Sequence, residues 1–411
     1  MSSQAEQSGS VVTPSVSSTP AARPRLESID LLRGLIMVVM ALDHTRDFFS
    51  NVKFDPMDFE RTNVALFLTR WITHFCAPNF LFLAGVGAFL TKTRGRTTGE
   101  LSWFLLSRGL WLAFLEVTWV HCIGWSFSFD LHHVGVGVLW AIGWSMVALA
   151  GLIWMPVPVV GAFGVALIVL HNAFDGVTPG AFGPLAWLWH VLHVPTGKTP
   201  LQPFAGWTFD IGYVLIPWMG VMAAGYAFGH IYKWEPERRR RLLLQLGLGL
   251  SALFIAVRWL NIYGDLRLWS PKQNALFTLF SFIDCHKYPP SLCYILMTVG
   301  PAMLVLRWLD RGTPTLLKPF IVFGRVPLFY YVLHLPLIHG AAVMVEFLRF
   351  GRAGWLFQSP WAPATDVPPT AGFDLPGVYL AWICIILILY PVCNWFAKLK
   401  QRRKDVWLSY L

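Results

Sequence analysis

An acid and a histidine stand side by side near the end of the first apolar stretch of the chain, in the sequence MALDHTRDFF. Asp43 and His44 follow the apolar run 31–39. Imidazole titrates near neutral pH and can take a proton from a hydroxyl or an amine, and a neighbouring carboxylate can hold and polarise the ring. We therefore predict that His44, oriented by Asp43, is a general base or a nucleophile in a group-transfer reaction.

A second chemical group precedes this pair on the same helical face. At about 100° per residue, Arg33 and His44 both fall within about 60° of Asp30. The separation of 11 positions from Arg33 to His44 corresponds to about 16 Å of helix. Because guanidinium pairs with phosphate through fixed donors, one end of this helix is suited to a phosphate-bearing ligand and the other to proton transfer. The alternative is a simple ion pair between Asp30 and Arg33.

Other apolar segments show the same division between their two ends. Arg108 and Arg325 fall near the inner end with Arg33, and His74 and His334 fall deeper or nearer the outer end. Ionisable groups in apolar helices are costly and usually face the protein interior. We predict that the arginines and Asp30 bind the donor and that the two histidines assist at the outer end. The alternatives are a membrane-surface anchor for Arg108 and buried structural roles for the histidines.

The elements that position these residues are membrane-spanning helices. The 411 residues are 55% hydrophobic and 13% charged, with a mean hydropathy of +0.54, which is too apolar for a water-soluble domain of this size. The apolar stretches run without alternation, which excludes a transmembrane β-barrel. The net charge of +10 comes from basic residues at the ends of apolar segments, so nucleic-acid binding is not expected.

Apolar runs and their flanks predict an all-α, polytopic membrane helix bundle of about ten transmembrane helices. The predicted spans are 28–48, 65–91, 102–126, 134–154, 157–173, 211–231, 240–262, 290–308, 318–348 and 376–398. With a cytoplasmic N-terminus, 18 basic residues fall on inner segments and 8 on outer loops. This excess predicts a multi-pass protein of the plasma (inner) membrane with both termini in the cytoplasm.

The ends of the chain differ from this central region. Residues 1–24 are rich in Ser, Thr, Ala and Gln and lack the apolar core of a signal peptide, which predicts a disordered tail. We expect one transmembrane domain over 25–404 and a short C-terminal tail over 405–411. The six cysteines are spread without metal-type spacing, so no metal site is predicted.

The opening R-x-x-S-I-D-x-x-R-G, which spans 25–34, resembles the start of the heparan-α-glucosaminide N-acetyltransferase-like family and its bacterial relatives. This family belongs to a wider group of transmembrane acyltransferases that includes the acyltransferase-3 family. Further similarity lies in TRWITHFCAPNFLFLAGVGAFL, SRGLWLAFLE, AIGWSMVALAGL and FGRVPLFYYVLHLPLIH. The order and spacing of these motifs extend the resemblance over nearly the whole chain except the tail.

The resemblance implies an enzyme of ten or more helices that moves an acyl group from a cytoplasmic donor, typically acetyl-CoA, to a sugar at the other side. His44 stands where acyltransferase-3 proteins have a histidine closing their first helix. Asp30 and Arg33 match the opening motif, and Arg108 is similar to the basic residue that starts the third helix. Members similar to the lysosomal enzyme carry their proposed active histidine in the next loop, and this loop, SNVKFDPMDFERTN, has none.

Together these features predict an acyltransferase that uses acetyl-CoA or another acyl-CoA as donor, requires no metal, and modifies a carbohydrate or glycolipid acceptor. Direct transfer and an acyl-histidine intermediate both remain open, as does a homodimer. The alternative function is a transporter or flippase for a small anionic or lipid-linked solute, which would use the same buried charges as a relay. The absence of a visible internal repeat weighs against that alternative.

Overall fold

The computed structural model describes residues 26–197, 200–358, 364–403 and 405–411. The tail predicted for 1–24 and Arg25 of the opening motif lie outside these residues. The α-helices of the described ranges are α1 (Glu27–Phe49), α2 (Val64–Ile72), α3 (Cys76–Thr93), α4 (Thr98–Leu115), α5 (Val138–Leu152), α6 (Val157–Leu170), α7 (Ala186–Leu192), α8 (Leu215–Phe228), α9 (Pro236–Leu260), α10 (Ala275–Ile283), α11 (Leu292–Leu309), α12 (Ile321–Arg325), α13 (Pro327–Phe350) and α14 (Leu375–Arg402).

The predicted all-α polytopic bundle is confirmed. Helical structure occupies each of the ten predicted spans. Seven helical stretches of the described residues are long and apolar enough to cross a membrane. The α1 helix is outside that set, as expected for a segment that carries several charges. The described strands are two short ones, β1 (His133–Val136) and β2 (Thr208–Ile211), which pair in parallel beside the bundle.

Some predicted spans are interrupted in the structure. The span 65–91 is divided into α2 and α3 by a 3-10 turn at Thr73–Phe75. Pro78 therefore lies in the first turn of α3, where its missing N–H removes no helical hydrogen bond. The span 318–348 begins as the 3-10 segment Thr315–Phe320 and continues as α12 and α13. The span 134–154 opens with β1, and its later part forms α5.

The first helix lies against α3, α12, α13 and α14. Its approach to α12 depends on two glycines. A Cβ atom on Gly34 would overlap the carbonyl oxygen of Phe320, and one on Gly324 would overlap that of Asp30. Small residues allow membrane helices to approach at backbone distance. The glycine of the opening motif is therefore needed to seat the charged helix against α12.

A buried carboxylate fixes the start of α5. Glu116 is 3% exposed and opens a π-helical segment, Glu116–Trp125, that continues α4. Its two oxygens accept hydrogen bonds of 2.9 Å from the backbone N–H groups of Gly137 and Leu139. Because the N–H groups of a first helical turn lack intrahelical partners, this carboxylate caps α5 from a neighbouring helix.

The glycine contact predicts a large loss of stability for Gly34→Ala, because a methyl group has no room against the backbone of Phe320. Overpacking in a close-packed interior lowers the free energy of unfolding by about 1–3 kcal/mol. We expect a loss near the top of this range, because the opposing atoms belong to the backbone of Phe320. The measurement is thermal unfolding in detergent. Gly151→Ala, in α5, is the matched control because its Cβ would meet no atom within 4 Å. Equal melting temperatures for the two variants would contradict the close approach.

Candidate active site

A cavity of about 360 Å³ opens among α1, α3, α4, α5 and α13, and we call it the inner cavity. Its charged lining residues are Asp30, Arg33, Arg94 and Arg108. Arg33 lies 3.6 Å from the Asp30 carboxylate and donates a 3.2 Å hydrogen bond to the carbonyl of Gly324. Three arginines against one aspartate make this cavity net positive, which favours an anionic ligand.

A second cavity of about 230 Å³ lies farther along the same helices, and we call it the outer cavity. His44 lines it together with three acids and two bases. The charged lining residues are Asp43, Asp47, Glu116, Arg70 and Lys287. Tyrosine hydroxyls add further polar groups, from Tyr213, Tyr288 and Tyr331. Such a lining offers donors and acceptors on several sides of a polar molecule.

One face of α1 serves both cavities. Asp30, Arg33 and Met37 line the inner cavity, and Met40, Asp43, His44 and Asp47 line the outer one. These positions recur every three or four residues, as a single helical face requires. On α3 the order is reversed, with the earlier residues in the outer cavity and the later ones in the inner. The reversal fits helices that run in opposite directions through the bundle.

His44 is held by rings and lies near an acid. The ring centroids of His44 and Trp125 are 5.2 Å apart, as are those of His44 and His334. The Nδ1 atom of His44 lies 3.7 Å from a carboxylate oxygen of Asp47. Within the part of the chain that the structure describes, this Nδ1 has no hydrogen-bond partner. The imidazole is therefore positioned by packing, and its buried Nδ1 is not committed to a hydrogen bond with the described residues.

Asp43 has partners other than the histidine that it was predicted to orient. Both of its carboxylate oxygens accept hydrogen bonds of 2.6 Å from Nη1 of Arg70. One of them also accepts a 3.0 Å hydrogen bond from Arg46. The acid nearest to His44 by ion-pair distance is Asp47, one turn later on α1. Asp43 thus joins α1 to α2 at the rim of the outer cavity.

The structure places the remaining predicted residues at different distances from the cavities. His334 is fully buried behind His44, and its Nδ1 lies 2.6 Å from the carbonyl oxygen of Tyr331. His74 is buried against the ring of Tyr294 and lines neither cavity. Arg325 lies at the end of α12 and is absent from the described lining of both cavities. All three residues lie outside the described lining of both cavities, and of the three His334 is the one whose ring contacts that of His44.

Sequence reasoning missed a group of residues that reach the outer cavity from loops. Tyr213 precedes α8, and Lys287 and Tyr288 precede α11. The rings of Tyr213 and Tyr288 lie 5.4 Å apart. The signal in the sequence is weak, because a lysine and a tyrosine in a loop between apolar helices resemble ordinary interfacial residues. Only the folding of the loop over the bundle shows where they point.

This loop is fixed by a buried arginine. Arg258, near the end of α9, is 1% exposed. Its guanidinium donates hydrogen bonds of 2.6 to 3.1 Å to the backbone carbonyls of Arg267, Ser281, Phe282 and Asp284. Four backbone carbonyls of one segment thus bind the planar guanidinium of a single arginine. The loop that carries Lys287 and Tyr288 is anchored through this arginine.

The Tyr288 phenol is electrostatically unusual. Burial raises its pKa, but the positive charges of Lys287 and Arg70 outweigh that effect and hold the pKa below its ordinary value of 10.0. Hydrogen bonds with Lys287 and Tyr213 act in the same direction. A phenol of this kind is a stronger hydrogen-bond donor than a free tyrosine, so Tyr288 is suited to hold a polar substrate oxygen.

The first part of the chain matches a known family. This part includes the whole of α1. Residues 25–269 match the family model described as heparan-alpha-glucosaminide N-acetyltransferase, catalytic. This range is more than half of the 411 residues. The chain belongs to this family. The match confirms the resemblance of the opening motif and supports a membrane acetyltransferase.

The family match does not cover every residue of the two cavities. Asp30, Arg33, His44 and Arg108 lie inside the matched range, whereas Lys287 and Tyr288 of the outer cavity lie beyond it, as does His334 behind His44. No curated protein matches the chain. Membership of a transferase family favours the enzyme over the transporter. Among the described residues, no cluster of three His, Cys, Asp or Glu side chains is arranged to hold a metal ion.

The Asp43–Arg70 pair generates a prediction about stability. Both side chains are largely buried, at 13% and 17% exposure, so Asp43→Asn leaves Arg70 uncompensated and is expected to cost about 3 kcal/mol. Arg70→Gln is expected to cost less, because Asp43 keeps Arg46. A double-mutant cycle followed by thermal unfolding measures the coupling. Strictly additive effects would show that the pair does not join α1 to α2.

Proposed function

We propose that this protein is a membrane acyltransferase that uses acyl-CoA in the inner cavity and acylates a hydroxyl or amine held in the outer cavity. The observation that carries the proposal is the shared face of α1, which presents Arg33 to one cavity and His44 to the other. Family membership supports transferase chemistry, and the two adjoining cavities supply separate places for a donor and an acceptor.

The inner cavity is suited to the phosphate-bearing part of the donor. Arg33, Arg94 and Arg108 line it, and guanidinium groups bind phosphate through charge-assisted hydrogen bonds. The rest of the lining is largely apolar, including Met37, Leu83 and Ile142, which suits the uncharged arm that bears the thioester. The excess of basic residues at the predicted inner ends supports a mouth of this cavity at the cytoplasmic face of the inner membrane, with both termini on that side.

In the outer cavity His44 is the proposed general base. Its nitrogen takes the proton as the acceptor oxygen or nitrogen attacks the carbonyl carbon of the thioester. The new bond to that carbon forms, the carbon–sulfur bond breaks, and the CoA thiolate then takes the proton from His44. His334 packs behind His44 and fixes the position of the ring, while Tyr288 and Lys287 hold the acceptor or the carbonyl oxygen.

The lining of the outer cavity points to a polyhydroxylated acceptor. Carboxylates of Asp47 and Glu116, the tyrosine hydroxyls and the Trp125 ring all border this space. Carboxylates accept hydrogen bonds from hydroxyls, and aromatic faces pack against the less polar side of a sugar ring. A carbohydrate or glycolipid at the outer face of the membrane is the acceptor class that fits this lining.

Replacing His44 by Gln should lower acetyl transfer by about 10²- to 10⁴-fold, because the proton acceptor is lost. The measurement is transfer of label from acetyl-CoA to glycan or lipid in membrane vesicles. His132→Gln is the matched control, because His132 is exposed in an outer loop and lines neither cavity. Thermal stabilisation by CoA should persist in His44→Gln. Transfer at the wild-type rate in that variant would exclude His44 as the base.

Replacing Arg108 by Gln should weaken use of acetyl-CoA by about 10- to 100-fold, mainly through KM, because a charge-assisted contact with phosphate is lost. The sharper measurement compares acetyl-CoA with S-acetyl-pantetheine, which lacks the phosphates. The defect should nearly vanish with the truncated donor. Arg238→Gln is the control, since Arg238 packs over Trp234 and neither residue belongs to the described lining of either cavity. An equal defect with both donors would contradict phosphate binding at Arg108.

A further inference from the structure

The inner and outer cavities adjoin at three side chains. Phe80 of α3, Val138 of α5 and Tyr331 of α13 line both cavities, and each other described lining residue belongs to one cavity alone. On α1 the boundary falls between Met37 and Met40, one helical turn apart. We call the three shared residues the wall.

Two members of the wall are held in place by buried hydrogen bonds. Val138 is flanked by the two backbone N–H groups that Glu116 binds, those of Gly137 and Leu139. Tyr331 is 7% exposed, and its carbonyl oxygen lies 2.6 Å from Nδ1 of His334. These bonds are made by backbone atoms, so they fix the main chain from which the Val138 and Tyr331 side chains project, and a backbone shift that widens the wall would disturb them.

We propose that Phe80, Val138 and Tyr331, the residues of the wall, hold the acyl group during transfer and are the side chains that set which acyl chain lengths the enzyme accepts. This inference rests on the proposed function. An acceptor in the outer cavity can attack a thioester carried from the inner cavity only if the carbonyl carbon reaches the wall. The carbons attached to that carbonyl must then fit among Phe80, Val138 and Tyr331.

A longer acyl chain has two places to go, and each carries a cost. It can push the wall residues apart, against their buried hydrogen bonds and packing. It can also extend into the outer cavity, whose volume of about 230 Å³ must hold the acceptor as well. An added methylene in a closely fitted pocket changes specificity by about 10- to 200-fold. Phe80, Val138 and Tyr331 are therefore the side chains expected to limit the length of the transferred chain.

Glu116 acts on this wall as a positioning residue. Its carboxylate does not need to touch the donor to affect selectivity, because it fixes the backbone on both sides of Val138. Glu116 also borders the outer cavity, so replacing it would change both the position of Val138 and the binding of the acceptor. Val138 and Phe80 give the cleaner tests, because their side chains bring only size to the wall.

The experiment measures kcat/KM for acetyl-, butyryl- and hexanoyl-CoA with the full-length protein in membranes. In Val138→Ala the butyryl-to-acetyl ratio should rise at least 10-fold over wild type, because the missing methyl groups leave room in the wall. Phe80→Leu should raise the same ratio and serves as the second variant if Val138→Ala is poorly folded. Val138→Leu narrows the wall and should lower the rate with acetyl-CoA.

The matched control is Ile142→Ala, one turn after Val138 on α5. Ile142 lines the inner cavity alone, so this variant should keep the wild-type ratio whatever its total rate. The proposed role of the wall would be overturned if the butyryl-to-acetyl ratio stayed unchanged in folded Val138→Ala and Phe80→Leu. An equal rise of that ratio in Ile142→Ala would overturn it as well. Wild-type protein that transfers no acyl group from any of the three donors would instead overturn the proposed function.

Discussion

The rest of the structure depends on the cost of placing charge inside a membrane-spanning bundle. The α1 helix carries Asp30, Arg33, Asp43, His44 and Asp47 within its length. Ionisable groups in hydrocarbon cost several kcal/mol, so they must lie against protein or a polar cavity. This constraint fixes the rotation of α1 and surrounds it with other helices. The two cavities lie along the face that the constraint turns inward.

The buried charges of the bundle fall into two groups according to what they contact. Glu116 and Arg258 bind backbone groups and hold segments in place: the first caps α5, and the second gathers the loop before α11. Backbone dipoles compensate both charges, with Asp265 also 3.6 Å from Arg258, and Glu116 combines this structural role with a place in the lining of the outer cavity. Arg33, Arg108 and His44 instead face cavities. Charges that the protein leaves facing a cavity are the ones that can act on a substrate.

Under the proposed function, the arrangement keeps two substrates apart and still lets them react. The inner cavity is lined by arginines and apolar groups, whereas the outer cavity mixes acids, tyrosines and one histidine among its described lining residues. Each lining therefore favours a different molecule. Because the cavities adjoin at three side chains, only the reacting atoms of the two substrates need to meet. This geometry is suited to transfer of a small group across a membrane interior.

The sequence by itself determined the class of the protein and the face of its first helix. Apolar runs of membrane-spanning length reveal helices, and a period of 3.6 residues shows that Asp30, Arg33 and His44 share one face, because both properties are local. The opening motif likewise pointed to the family that the match confirms. The ten-span count, the domain limits and the orientation stay predictions.

Only the tertiary structure decided which charges pair and which residues from distant segments reach the same cavity. Asp43 adjoins His44 in the chain, yet its carboxylate binds Arg70, because α2 packs against that side of α1. Lys287 and Tyr288 join His44 across more than 240 residues through a loop that carries no clear signal. Such contacts arise from helix packing and loop anchoring, and these depend on side chains far apart in sequence, which a local pattern does not contain.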